Sequence, residues 1–110
     1  MRIWDLPASH LCRNHLLGEH RELHALRTIL THNKKGYAHH PETLRWKGKL
    51  KALYNRHEEL VAEMQRRGYQ HRSPLDKTFT KGESEVQDVF LHSPDEQIAI
   101  LRKKGCTCKV

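Results

Sequence analysis

From Ser9 to His32 the apolar residues recur with the period of an α-helix, and three ionisable residues lie inside the apolar stripe. At about 100° per residue, Leu11, Cys12, Leu16, Leu23, Leu26, Ile29 and Leu30 share one broad face. His15, Glu19 and Glu22 fall within that face. Carboxylates are seldom buried without a partner or a task. The stripe therefore predicts either a salt-bridge network against the core or an active-site wall along this helix.

The rest of the chain reads as helices joined by long connections. Residues 1–8 form a short extended arm: Pro7 disfavours helix before it, and Ser9 is a suitable N-cap for the first helix. Residues 32–40 make a basic connection around Gly36. A second helix starts at Pro41, a favoured first-turn residue, with Glu42 suited to the positive end of the helix dipole. Its stripe is Leu44, Leu50, Leu53, Tyr54, Leu60, Val61 and Met64, and Gly68 closes it at C′. Arg45, Lys47, Lys49, Lys51, Arg56, Arg66 and Arg67 occupy its other faces. Residues 69–92 read as an irregular segment pinned to the core by Val86, Val89, Phe90 and Leu91. A third helix follows from Ser93-Pro94-Asp95-Glu96, the pattern of a capping box. Ile98 and Leu101 form its buried side, Gly105 ends it, and Arg102, Lys103 and Lys104 sit where the dipole favours cations. The expected fold class is all-α: a compact single domain over residues 1–110, three helices with long irregular connections and no strand.

Charge narrows the function. Twenty Lys and Arg against 13 Asp and Glu give +7 with histidines neutral, which points to a polyanion, most simply nucleic acid. No apolar run approaches the ~18–20 residues of a membrane span, and no apolar h-region marks a secretory signal. Three cysteines form no disulfide framework, so a reducing cytoplasm is expected, with the nucleoid as the site of action if the source is bacterial. The 10 histidines raise the question of zinc. His20 and His24 are four apart, His39 and His40 are adjacent, and Cys106-Thr107-Cys108 lies near the end, but none of these matches a structural zinc spacing. No metal site is expected; Cys106 and Cys108 read as a loose tail, and His57 as a core histidine with satisfied nitrogens. Arg2, Arg13, Arg21, Arg27, Lys34, Lys35 and the end of the third helix surround the polar hole in the first stripe. A cationic rim can hold phosphates while a carboxylate beside it moves protons or steadies a developing cation.

Two stretches carry a resemblance. Met1-Arg2-Ile3-Trp4-Asp5-Leu6, followed by His15-Leu16-Leu17-Gly18-Glu19-His20-Arg21-Glu22-Leu23, resembles the N-terminal part of the pyrimidine-dimer DNA glycosylases, the phage endonuclease V family. Lys49 to Leu53, Arg56 to Glu63 and Arg66-Arg67-Gly68-Tyr69 resemble that family's second long helix and its exit. The match keeps its order over about two thirds of the chain, and H-L-x-x-E-x-R-E-L is its most specific string.

The resemblance implies a DNA repair glycosylase with coupled abasic-site lyase activity, whose nucleophile is the N-terminal α-amine. Such an amine, with an ordinary pKa of about 7.7–8.0, is partly neutral at cellular pH. It attacks C1′ of the damaged nucleotide and forms an imine, and β-elimination then cuts the strand. The duplex is bent, with a base opposite the lesion flipped out. Carried over by position, Met1 holds the amine and Glu22 is the catalytic carboxylate. Arg2, His15 and Arg21 hold DNA near the lesion, with Arg27 and Lys104 as further DNA contacts and Glu19 as structural support. Because Arg2 disfavours removal of the residue before it, Met1 is expected to be retained. Ala25 stands where the phage pattern has an arginine, for which Arg27 or Lys34 could substitute, and the phage enzyme's aromatic, basic tail has no counterpart after Cys106. No metal or organic cofactor is needed for this chemistry, so activity is expected to survive EDTA. The partner is damaged double-stranded DNA, no membrane is involved, and a monomer suffices. An abasic-site lyase, a glycosylase for another damaged base, or a non-enzymatic DNA-binding helical domain with Glu22 paired to Arg21 or His15 would share most of these residues.

Overall fold

A computed structural model describes residues 2–32, 39–70, 74–75 and 84–109. Among these described residues a 3-10 turn at Ala8–His10 is followed by four α-helices: α1 (Arg13–His32), α2 (Pro41–Trp46), α3 (Leu50–Arg66) and α4 (Pro94–Lys103). The described residues include no strand, so the all-α class holds while the count of helices does not.

The helix stripes meet at the centre. Leu16, Leu23 and Leu26 of α1, Leu53 and Leu60 of α3 and Leu101 of α4 are fully buried, each such side chain stabilising the fold by about 1.5–3 kcal/mol. Helix α1 begins later than Ser9. His10 N–H donates to the Pro7 carbonyl at 3.0 Å and Leu11 N–H to the Ala8 carbonyl at 3.2 Å, closing a tight turn. Leu11 is then extended before the helix starts. Gly68 and Gly105, both at positive φ, follow α3 and α4 as expected. The capping box at α4 is complete: the Ser93 hydroxyl accepts from Glu96 N–H while the Glu96 carboxylate accepts from Ser93 N–H.

The expected second helix is two helices. Gly48, at φ 76°, ends α2, a conformation that residues with a Cβ rarely adopt. The break resets the helical phase, so Leu44 points outward at 49% exposure, out of register with Leu53. It also turns Arg45 inward; this guanidinium is buried rather than on a solvated face. The segment across the break is fixed by polar bonds. Ser84 donates to the Gly48 carbonyl at 3.2 Å and its own carbonyl accepts the first-turn N–H of Ala52 at 3.0 Å. Gln87 bonds the Arg45 carbonyl, and Lys49 reaches Gln87 and Asp88. Val86, Val89, Phe90 and Leu91 are exposed and do not pin it.

The N-terminal arm crosses the helices as an extended strand-like segment, and side chains satisfy its backbone one residue after another. Ile3 N–H donates to Glu42 of α2 at 3.2 Å, Trp4 N–H to Glu19 of α1 at 3.0 Å, Asp5 N–H to Gln97 of α4 at 2.8 Å, and Ala8 N–H to Glu59 of α3 at 2.9 Å. The Arg45 guanidinium closes the clamp, reaching Glu42 at 2.9 Å, the Ile3 carbonyl at 2.8 Å, Asp5 at 3.1 Å and the Val89 carbonyl at 2.9 Å. All four helices thus hold the same short arm, and Ile3, Trp4 and Leu6 belong to the core.

Candidate active site

Where the arm passes α1, the two border an open cavity of about 260 Å³ lined by Arg2, Trp4, Asn14, His15, Gly18, Glu19, Glu22 and Lys104. The α1 residues in it are spaced three and four apart, as one helix face requires. Gly18 lies between His15 and Glu22, and a Cβ there would meet nothing within 4 Å. Arg2 stacks its guanidinium over the Trp4 ring at 4.9 Å and donates to His92 Nδ1 at 3.3 Å. The Trp4 ring in turn meets the His15 ring edge-on at 5.8 Å.

The two carboxylates on this wall differ sharply. Glu19 is buried, bonded by Arg56 at 2.6 and 3.0 Å and by the Trp4 N–H. Burial pushes its carboxyl up, against the pull of Arg56 and that N–H, and the carboxylate raises Arg56 in return against the guanidinium's own burial. Glu19 is the structural member expected from the sequence. Glu22 is half-buried, and among the described residues no hydrogen bond or ion pair ties its carboxylate down. Burial lowers the His15 imidazole, and Lys104 lowers it further, so the neutral ring is favoured.

Of the residues singled out from the sequence, Arg2, His15, Glu22 and Lys104 share this cavity. Arg21 is exposed on α1 beside Glu22, and Arg27 is half-buried further along that helix; neither lines the cavity. Met1, Lys34 and Lys35 lie outside the described residues.

The sequence matches the family model described as pyrimidine dimer DNA glycosylase over residues 1–77. The chain belongs to that family. A comparison with curated proteins gives no match, nor does one with solved structures. The matched span covers the arm, α1, α2 and α3, and with them every lining residue of the cavity except Lys104. Family membership makes the protein a pyrimidine-dimer DNA glycosylase, with DNA as its substrate. No helix among the described residues is long and apolar enough to cross a membrane.

Several residues of this glycosylase have roles that their local sequence does not signal. Glu42 and Arg45 looked like a helix-end acid and a surface base, and they clamp the arm instead. Cys106 and Cys108 are no loose tail: both pack against the core. Lys109 N–H donates to the His10 carbonyl at 2.7 Å, and Cys12 N–H donates to Cys108 Sγ at 3.1 Å. Burial pushes the Cys108 thiol up to about 12. On the other side of α1, His57 is fully buried, as a satisfied core histidine should be, with Glu58 at 3.0 Å and His20 at 3.2 Å.

Proposed function

We propose that this cavity is the reaction centre of a pyrimidine-dimer glycosylase with coupled β-elimination lyase activity, using the α-amine of residue 1 as nucleophile. The observation that carries the reading is the Glu22 carboxylate, half-buried and untied in a cavity it shares with Arg2. Arg2 follows residue 1 directly, and consecutive Cα atoms are about 3.8 Å apart. The clamp on Ile3, Trp4 and Asp5 fixes the chain just beyond that amine.

The chemistry follows from these groups. The neutral amine attacks C1′ of the damaged nucleotide, and the base departs with the electrons of the glycosidic bond. Loss of an amine proton and opening of the sugar ring give an imine between the amine and C1′. Glu22 steadies the cationic sugar and moves protons during imine formation. Loss of a C2′ proton then expels the 3′ phosphate as the C3′–O bond breaks, and water releases the enzyme from the unsaturated sugar. Arg2, Arg21 and Lys104 offer charge-assisted contacts to the flanking phosphates, and neutral His15 orients the sugar or a phosphate from within the cavity. Arg27 extends the same basic edge of α1.

Borohydride trapping on dimer-containing duplex, followed by peptide mapping, tests this. The expected adduct is on the amine of residue 1. Glu22→Gln is expected to lower strand cleavage by about 10²–10⁴-fold, the range of general acid–base catalysis, with DNA binding kept. An adduct on a lysine, or full turnover with an acetylated amine, would overturn the mechanism. Substrates carrying only an abasic site or an oxidised base show whether dimer recognition is required.

A further inference from the structure

We propose that Cys12, His15, Cys106 and Cys108 form a structural zinc site that fastens the end of the chain to the head of α1. The four ligand atoms, three Sγ and one imidazole nitrogen, all lie within 4.8 Å of one another. His15 Nδ1 is 3.1 Å from Cys12 Sγ and 3.2 Å from Cys108 Sγ. A tetrahedral zinc ion with bonds of about 2.3 Å to sulfur and 2.0–2.1 Å to nitrogen separates its ligands by about 3.5–3.8 Å. The two His15 contacts need a few tenths of an ångström of adjustment and the widest separation up to about 1 Å, movements within reach of side-chain rotation, to make a Cys₃His tetrahedron, the donor set of a closed structural site.

The surroundings suit such an ion. The Cys12 N–H pointed at Cys108 Sγ is the kind of outer hydrogen bond that supports a metal-bound thiolate. Three thiolates and one divalent cation leave a net charge of −1, and Lys104 lies beside His15 at the cavity wall to balance it. All four ligands are half-buried, reachable by an ion yet shielded from bulk water. Binding expels the thiol protons and closes a loop from position 12 to position 108, so the binding energy becomes folding energy. The metal breaks no bond in DNA. Ligation through Nδ1 leaves His15 with its hydrogen on Nε2, so toward DNA it acts as a hydrogen-bond donor.

The test uses the full chain purified without chelator. Elemental analysis is expected to give one zinc per chain. Cobalt substitution is expected to give a thiolate-to-metal charge-transfer band together with tetrahedral visible bands. Both signals should vanish in Cys106→Ser/Cys108→Ser and persist in His20→Gln/His57→Gln, which alters the other histidine cluster on α1. Chelation should lower the melting midpoint and added zinc restore it. If the cysteine variant fails to fold, the cobalt spectrum of the unaltered protein decides alone. Absence of the charge-transfer band, its survival in the cysteine variant, or a mass two hydrogens lower from a disulfide with no bound metal would each overturn the site.

Discussion

Arg45→Met separates the arm from its clamp without touching the cavity. The guanidinium is 2% exposed and Glu42 is 3% exposed. Its removal strands Glu42 as a buried carboxylate and leaves Asp5 and the carbonyls of Ile3 and Val89 short of a donor. Breaking a buried pair from one side costs about 3–5 kcal/mol. The Ile3 N–H and the Trp46 indole N–H still reach Glu42, at 3.2 and 3.0 Å, which places the loss at the lower end. A domain has about 5–15 kcal/mol in total, and an m-value of about 1–3 kcal/mol per molar urea turns a 3 kcal/mol loss into a midpoint lowered by about 1–3 M. Arg45→Lys should not restore it, because one ammonium cannot span these acceptors. Adding Glu42→Gln to Arg45→Met should recover part of the loss, since the stranded charge is gone. In the folded fraction, imine trapping should slow by about 10²-fold, the effect of an ångström-scale misplacement, with DNA affinity little changed. Urea unfolding followed by circular dichroism, beside borohydride trapping, checks both halves. A midpoint that does not move, or a full trapping rate in a destabilised protein, would refute the link between clamp and nucleophile.

Gly18→Ala should stabilise the protein by about 0.5–1 kcal/mol, the usual helix gain over glycine, because the new methyl meets nothing within 4 Å. Gly18→Phe should instead fill the space between His15 and Glu22 and abolish cleavage at unchanged stability; thermal melts and a strand-cleavage assay read both, and a lower midpoint for Gly18→Ala would show that the helix is crowded there. Glu63 gives a pH signature. The Arg66 hydrogen bond, and Arg67 after it, hold its carboxyl down from 4.5 to about 2 although burial opposes them. A depressed acid adds stability that is complete above the unfolded value and lost as pH falls through the folded one. The stability difference between the unaltered protein and Glu63→Gln should therefore persist above pH 4.5 and close as pH falls towards about 2; an offset independent of pH would reject the pairing.

The helices were legible wherever a residue's role is local. The α1 stripe from Leu16 onward, the capping box at Ser93 and the closing glycines at 68 and 105 depend on neighbours within a turn or two and appear where expected, whereas the helix start at Ser9 gives way to a 3-10 turn and an extended Leu11. The break at Gly48 was present in the sequence as a glycine between two lysines, but the apolar period on both sides suggested one continuous helix. The clamp was not legible, because an extended arm forms no repeating pattern. Its partners come from four helices, as far apart in sequence as Asp5 and Gln97. The cysteine cluster failed for the same reason. Cys12 and His15 have C-x₂-H spacing at one end and Cys106 and Cys108 have C-x-C at the other, and only the fold joins the two halves.

Glu19 and Glu22 lie on one face of one helix in opposite environments. Glu19 meets three donors and is sealed from water, so it holds the arm. Glu22 has no such partners among the described residues and opens on the cavity. A half-buried carboxylate without a partner does not favour the folded state, since its partial desolvation is not offset. Groups set for chemistry often lower stability in this way. Glu22→Gln should therefore melt at the same temperature as the unaltered protein or higher, whereas Glu19→Gln, which takes the charge away from Arg56, should melt lower. If Glu22 were instead one half of a structural ion pair, its replacement would lower the midpoint as Glu19→Gln does, and loss of cleavage would then report only a damaged fold.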